Sequence, residues 1–230
     1  MTIRVVIADD QELVRVGFGM ILGAQPDMEV VAEVDDGAAA IEAVRALEPD
    51  VVLLDIQMPG VDGIEAARSI CAGSTAKVIM LTTFARDEYL YASLRAGASG
   101  FLLKDVRGED LVHAVRVARS GEALLAPAVT RRLIDDVARQ TVRPRLDDSV
   151  LDRLTERERQ TLLLLGRAMS NAEIAREMVV SDHTVKTHVS NVLTKLGLRD
   201  RAQAVISAYE TGLIVPGGEP PGAGGGPLRT

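Results

Sequence analysis

The chain has 230 residues, 47% of them apolar, enough for one large domain or two of ordinary size with real cores. One cysteine, Cys71, excludes an internal disulfide and fits a reducing compartment. No apolar run reaches the roughly 18 residues that span a bilayer, and the first strand pattern begins at once without a signal peptide, so a cytosolic protein with no membrane partner is expected. The formal charge of −7 is uneven: residues 1–122 carry 11 basic against 20 acidic side chains, whereas residues 151–215 carry 9 against 8. That asymmetry implies two halves with different partners.

In chain order, Ile3 to Ala8 is an apolar strand that ends on Asp9 and Asp10. Gln11 to Leu22 has helical spacing through Leu13, Val16, Gly17, Met20 and Ile21. Met28 to Val34 reads as a second strand, Gly37 to Leu47 as an alanine-rich helix, and Val51 to Asp55 as a strand buried on both faces. Ile64 to Cys71 is helical, Lys77 to Leu81 is a strand leading into Thr82, and Asp87 to Ala96 is a helix stopped by Gly97. A short strand from Gly100 to Leu103 ends on Lys104, and a last helix carries Leu111, Val112, Val115 and Ala118 on one face. Strands alternating with helices specify a doubly wound parallel sheet of five strands, because parallel neighbours need crossover helices.

The strand ends carry the chemistry. Asp9, Asp10, Asp55, Thr82 and Lys104 all fall on the carboxyl edge, where open α/β folds bind ligands. Carboxylates gathered within ~5 Å repel by roughly 3 kcal/mol per pair at an effective dielectric of about 20, so the cluster needs a cation. Oxygen ligands without histidine or thiolate favour Mg²⁺. Lysine and a hydroxyl beside it suit a phosphoryl group in transfer, and a carboxylate can be the nucleophile that receives it.

These residues resemble a known family. Asp9-Asp10, the run from Leu53 through Asp55 to Gly63, Leu81-Thr82 and Gly100 to Lys104 are similar to the receiver domain of two-component response regulators, a flavodoxin-like fold. The resemblance implies Asp55 as phosphoacceptor and Mg²⁺ held by Asp10, Asp55 and the Gln57 backbone carbonyl, with Asp9 assisting through a water. It also implies that Lys104 pairs with the phosphoryl group and that Thr82 hydrogen-bonds to it. Phe101 stands at the switch aromatic and lacks a hydroxyl, so a switch there works by burying or exposing the ring. Asp105 follows Lys104 where many receivers have proline, which puts the family's cis peptide in doubt.

Residues 123–150 read as a polar linker with a short helix from Pro127 to Val137, and residues 216–230 as a disordered glycine- and proline-rich tail. Between them, residues 151–215 form a smaller all-α unit of four helices. Thr155 with Glu158 and Ser170 with Glu173 have capping-box spacing, Ser181 caps a third helix to Leu196, and Asp200 caps a fourth from Arg201 to Glu210. The middle two form a helix-turn-helix whose second helix turns Val185, Val189, Val192 and Leu196 inward and Lys186, Thr187, Ser190 and Asn191 outward. Small polar residues with a lysine on an exposed helix suit a major groove.

This segment is similar to LuxR-type DNA-binding domains, above all in Ser170 to Ala175 and Thr184 to Gly197. Receiver plus this output module is the arrangement of the NarL/FixJ group. The resemblance implies Lys186, Thr187 and Ser190 as base-edge readers, Thr184, His188 and Lys195 near phosphates, and the fourth helix as a dimer face. The function expected is a transcription regulator that receives a phosphoryl group on Asp55 from a sensor histidine kinase, pairs as a homodimer and binds double-stranded promoter DNA. Its only catalysis would be phosphoryl transfer to and loss from Asp55. Two alternatives compete: a DNA-binding regulator independent of phosphorylation, which the intact acidic set opposes, and a phosphohydrolase working through an aspartyl phosphate. Gln57, two residues after Asp55 where a general acid belongs, opposes the latter.

Overall fold

The computed structural model describes residues 2–83, 87–120 and 151–214. The expected linker over 123–150, with its short helix, and the tail over 216–230 lie outside the described residues. Strands β1 (Ile3–Ala8), β2 (Met28–Val34), β3 (Val51–Asp55), β4 (Lys77–Thr82) and β5 (Gly100–Leu103) form one parallel sheet in the order β2-β1-β3-β4-β5. Helices α1 (Glu12–Gly23), α2 (Gly37–Leu47), α3 (Gly63–Gly73), α4 (Asp87–Arg95) and α5 (Gly108–Ser120) connect or follow the strands.

Because strand side chains alternate, each strand feeds both cores. Val5, Ile7, Val51, Leu53, Ile79 and Leu81 pack with Phe18 and Leu22 of α1 and with Leu111 and Val115 of α5. Val6, Ala8, Val52, Leu54, Val78 and Met80 pack on the other side with Val44 of α2, Ile70 of α3 and Leu94 of α4. Both faces being covered explains the unbroken apolar runs, and every residue of β3 is buried. The apolar spacing of α1 divides between its two sides. Leu13, Val16 and Met20 face outward, while Phe18 and Leu22, supported by Val14 and Ile21, hold the helix to the sheet.

The strand order reverses between β1 and β3, so the ends of these neighbours flank the crevice where ligands bind in such sheets. The chain leaving β3 turns back sharply: the Gly63 N–H donates to the Ile56 carbonyl at 2.9 Å, and Asp62 caps α3 by accepting from the Glu65 N–H at 2.8 Å. A Cβ on Gly63 would lie 1.8 Å from the Asp55 carbonyl oxygen, so glycine is what lets α3 begin against the end of β3. The Lys104–Asp105 peptide is trans.

The second unit contains α6 (Glu156–Gly166), α7 (Asn171–Met178), α8 (Asp182–Leu196) and α9 (Arg201–Glu210). Both expected capping boxes form, and the side chains of Ser181 and Asp200 cap α8 and α9. Leu162, Leu165, Ile174, Met178, Val185, Val192, Ala204 and Ala208 make its core, with Val189 and Leu196 packed at the edge. The turn after α7 is tight: Met178 ends the helix and Val179 takes the left-handed conformation at φ 56°. The two units touch, since Ala202, Val205, Ile206 and Tyr209 of α9 share a buried cluster with residues of α3 and α4. No described helix is long and apolar enough to cross a membrane.

Candidate metal centre and nucleic-acid interface

The carboxyl edge brings together Asp9 and Asp10 after β1 and Asp55 at the end of β3, with a carboxylate oxygen of each within 4.8 Å of the others. Asp9 is 0% exposed and Asp55 3%, while Asp10 opens to solvent. Lys104, just beyond β5, reaches into the cluster: its Nζ lies 2.9 Å and 2.8 Å from the two carboxylate oxygens of Asp9 and 3.1 Å from Asp55. Asp9 is also fixed from its own loop, accepting the Gln11 N–H at 2.9 Å, and its carbonyl accepts from Arg15 at 2.6 Å.

Among the described residues, three carboxylates against one ammonium leave two negative charges in a largely buried site, which a divalent cation neutralises. Asp9 Oδ2 sits beside the ammonium but off the axis of a hydrogen bond, so this buried oxygen has no directed donor. The oxygen-only donor set, the charge balance and that orphaned atom all fit a hard divalent ion. Burial, and next the charge of Asp9, push the Asp55 carboxyl up to about 6 against the pull of Lys104 and the Gln57 backbone N–H. Near neutral pH its carboxylate is therefore ionised yet weakly solvated, the state of a nucleophile.

Thr82 is buried at the end of β4, one residue beyond Leu81, the register partner of Asp55, and its carbonyl accepts from the Lys104 N–H at 2.8 Å. Phe101, at 8% exposure, is already turned into the core beside α3 and α4. The Gln57 side chain is exposed, and its backbone N–H rather than its side chain serves Asp55.

In the second unit α8 presents Lys186, Thr187, Ser190 and Asn191 to solvent. Lys186 lies 3.7 Å from Asp182 one turn earlier, and the Thr187 hydroxyl donates to the His183 carbonyl at 3.1 Å. Thr184 is half-buried in the cap, 2.8 Å from the Ser181 hydroxyl, and His188 is half-buried beside it. Lys195 is engaged within the protein, at 2.6 Å from Glu158 Oε2, the same oxygen that accepts the Thr155 N–H.

Residues 5–116 match the response regulator receiver domain family, and residues 152–208 match the LuxR family of bacterial regulatory proteins. The uncharacterized transcriptional regulatory protein YxjL of Bacillus subtilis is 40% identical over 92% of this chain and 97% of its own. The response regulator protein VraR of Staphylococcus aureus is 40% identical over 93% of this chain and all of its own length. This chain belongs to the NarL/FixJ group of two-component response regulators. Among solved structures, the signal receiver domain of a NarL response regulator from Mycobacterium tuberculosis shares 39% identity and a TM-score of 0.51, covering 52% of this chain and 98% of that one.

As a member of that group the regulator is a DNA-binding transcription factor driven by phosphorylation, and its chemistry is confined to the phosphoryl group on its own receiver. A histidine kinase, DNA and a second copy are the partners this architecture implies. The regulator also uses residues that sequence reasoning did not single out. Glu158 stands in the sequence as half of a capping box, and its oxygen also ties α8 to α6 through Lys195. Only its place three residues after Thr155 was visible; its partner 37 residues away was not.

Proposed function

We propose that Asp55 is the phosphoacceptor and that Asp10, Asp55 and the Gln57 carbonyl hold Mg²⁺, with Asp9 assisting through a water. The observation that carries this reading is the set of three carboxylates, Asp9 and Asp55 buried and Asp10 open to solvent, around Lys104 at the β1/β3 crevice. Bound Mg²⁺ would supply charge neutralisation for the phosphoryl oxygens. An Asp55 carboxylate oxygen attacks the phosphorus of a kinase phosphohistidine; the new O–P bond forms as the P–N bond breaks, and the imidazole leaves. Lys104 is then free to turn from Asp9 toward the phosphoryl group, and Thr82 donates its hydroxyl to it. The chain works in the cytoplasm as a homodimer on promoter DNA.

On the DNA side, Lys186, Thr187 and Ser190 read base edges, and Thr184, His188 and Lys195 lie nearer phosphates. Lys195 carries a cost for that role, since it must share its ammonium with Glu158. The test is a binding series on a fragment found by footprinting. Lys186→Ala, Thr187→Ala and Ser190→Ala are each expected to weaken specific binding by about 1–3 kcal/mol and to relax preference at one position of the site. Lys195→Ala should weaken all sequences alike and lower the salt dependence by about one phosphate contact. Uniform, sequence-independent losses at Lys186, Thr187 and Ser190 would remove them from the reading face.

A further inference from the structure

The turn of the helix-turn-helix holds a side chain that the fold does not use. Helix α7 ends by a left-handed step at Val179, with φ 56° and ψ 50°, and α8 ends by the same kind of step at Gly197, with φ 66° and ψ 30°. Glycine takes that step without strain, whereas a β-branched side chain crowds its own backbone there. The backbone of the turn is satisfied whatever side chain stands at this position: the Val179 N–H donates to the Arg176 carbonyl at 3.3 Å, and the Val180 N–H to the Ala175 carbonyl at 3.0 Å. Val180 packs at the edge of the helical core, but Val179 is 89% exposed. The strained valine thus adds nothing to the interior, and strain of this kind gathers where a side chain serves a partner.

Its place points to that partner. Val179 stands two residues ahead of Ser181, whose hydroxyl accepts the Thr184 N–H at 3.1 Å and starts α8. The first residues of the second helix in this motif reach base edges, so a side chain on the turn just ahead of them is continuous with the face that meets DNA. An open recess of about 490 Å³ runs from Ala175 and Arg176 past Val179 and Val180 to Ser181. Among the described residues its lining carries one cation, the exposed Arg176, and no carboxylate. Asp182, the carboxylate that opens α8, lies 3.7 Å from Lys186. An apolar tip beside a cation complements duplex DNA, where the thymine C5 methyl is the apolar group on the major-groove floor and phosphates line the rim.

We propose that Val179 determines specificity in the DNA contact: its methyl groups pack on the C5 methyl of one thymine in the half-site, and Arg176 meets the adjoining phosphate. The inference rests on the reading of α8 as the helix that reads base edges. Asparagine at position 179 keeps the left-handed step with less strain and removes both methyl groups.

The test uses the full chain with phosphodonor and Mg²⁺ on a footprinted fragment in which each thymine in turn is replaced by deoxyuridine, which lacks only the C5 methyl. At one position in each half-site the replacement is expected to weaken binding of the unsubstituted chain by about fourfold, the effect of one buried methyl group. Val179→Asn should bind the thymine fragment about fourfold more weakly and respond by less than about 1.5-fold to deoxyuridine at that position, while the other thymines affect both proteins alike. Arg176→Ala should weaken both fragments equally and lower the salt dependence by about one phosphate contact. Thermal unfolding separates binding from folding, because relief of strain should raise the melting temperature of Val179→Asn by about 2–4 °C. A fall in melting temperature would assign the valine to the fold and overturn the proposal. Deoxyuridine effects equal in the two proteins at every position also overturn it. So does unchanged DNA affinity of Val179→Asn joined to a loss of transcription by purified RNA polymerase, which would give the valine a protein partner. If Lys186→Ala loses specific binding and Val179→Asn does not, the inference falls and the reading of α8 stands; absence of specific binding in every form removes both.

Discussion

Asp55→Asn is expected to take up no phosphoryl label from a small phosphodonor in the presence of Mg²⁺, under conditions where the unsubstituted chain is labelled. The amide lacks the anionic oxygen that attacks phosphorus, and the neighbours cannot substitute: Asp9 is pinned by Lys104 and Gln11, and Asp10 faces solvent. Equal label in the variant would move the acceptor elsewhere. The same substitution is expected to stabilise the metal-free fold. Because the Asp55 carboxyl is raised from 3.8 to about 6, the folded chain holds a proton that the unfolded chain has lost across that interval. Stability of the unsubstituted protein therefore falls as pH rises through it. Asp55→Asn should match it near pH 3.5 and exceed it by about 1–2 kcal/mol at pH 8, allowing for screening at the crevice mouth. Urea unfolding across that range provides the measurement.

Lys104→Met has the opposite sign and a larger size. The methionine keeps the apolar stem and removes the cation that, among the described residues, lies beside Asp9 and Asp55, leaving two buried carboxylates facing each other. Removing one partner from a buried charge set costs about 3–5 kcal/mol, and that loss is expected in metal-free buffer at pH 8. Lys104 holds the Asp55 carboxyl down, so without it the carboxyl rises further and takes a proton more readily. The penalty should shrink as pH is lowered toward 5, and Mg²⁺ should restore more stability to the variant than it adds to the unsubstituted chain. A loss independent of both pH and Mg²⁺ would mean that Lys104 acts through packing alone.

Much of this was legible because a parallel sheet buried on both faces writes its strands as continuous apolar runs. All five strands begin at the residues read from the sequence, and β4 extends one residue further, through Thr82. Strand ends then put Asp9, Asp10, Asp55 and Lys104 on one edge without any knowledge of side-chain geometry. Helix faces were less readable. On α1 two apolar stripes coexist, and spacing alone does not tell Leu13 and Met20, which face outward, from Phe18 and Leu22, which pack inward. Contacts between distant segments were not readable at all. Asp200 is the cap that its position before Arg201 suggests, but its second oxygen bonds Ser99, 101 residues earlier. The resemblance alone places Lys195 near phosphates, and nothing local announces that Glu158 meets it.

A phosphoryl group on Asp55 is proposed to change what α8 can hold on DNA. The most direct measurement is the dissociation constant for a footprinted promoter fragment, taken for the unsubstituted chain and for Asp55→Asn, each with and without phosphodonor and Mg²⁺. Phosphodonor is expected to tighten binding of the unsubstituted chain by about 5–150-fold, a coupling of about 1–3 kcal/mol, and to leave Asp55→Asn unmoved. Equal affinity of the unsubstituted chain with and without phosphodonor, or an equal response in Asp55→Asn, would contradict it.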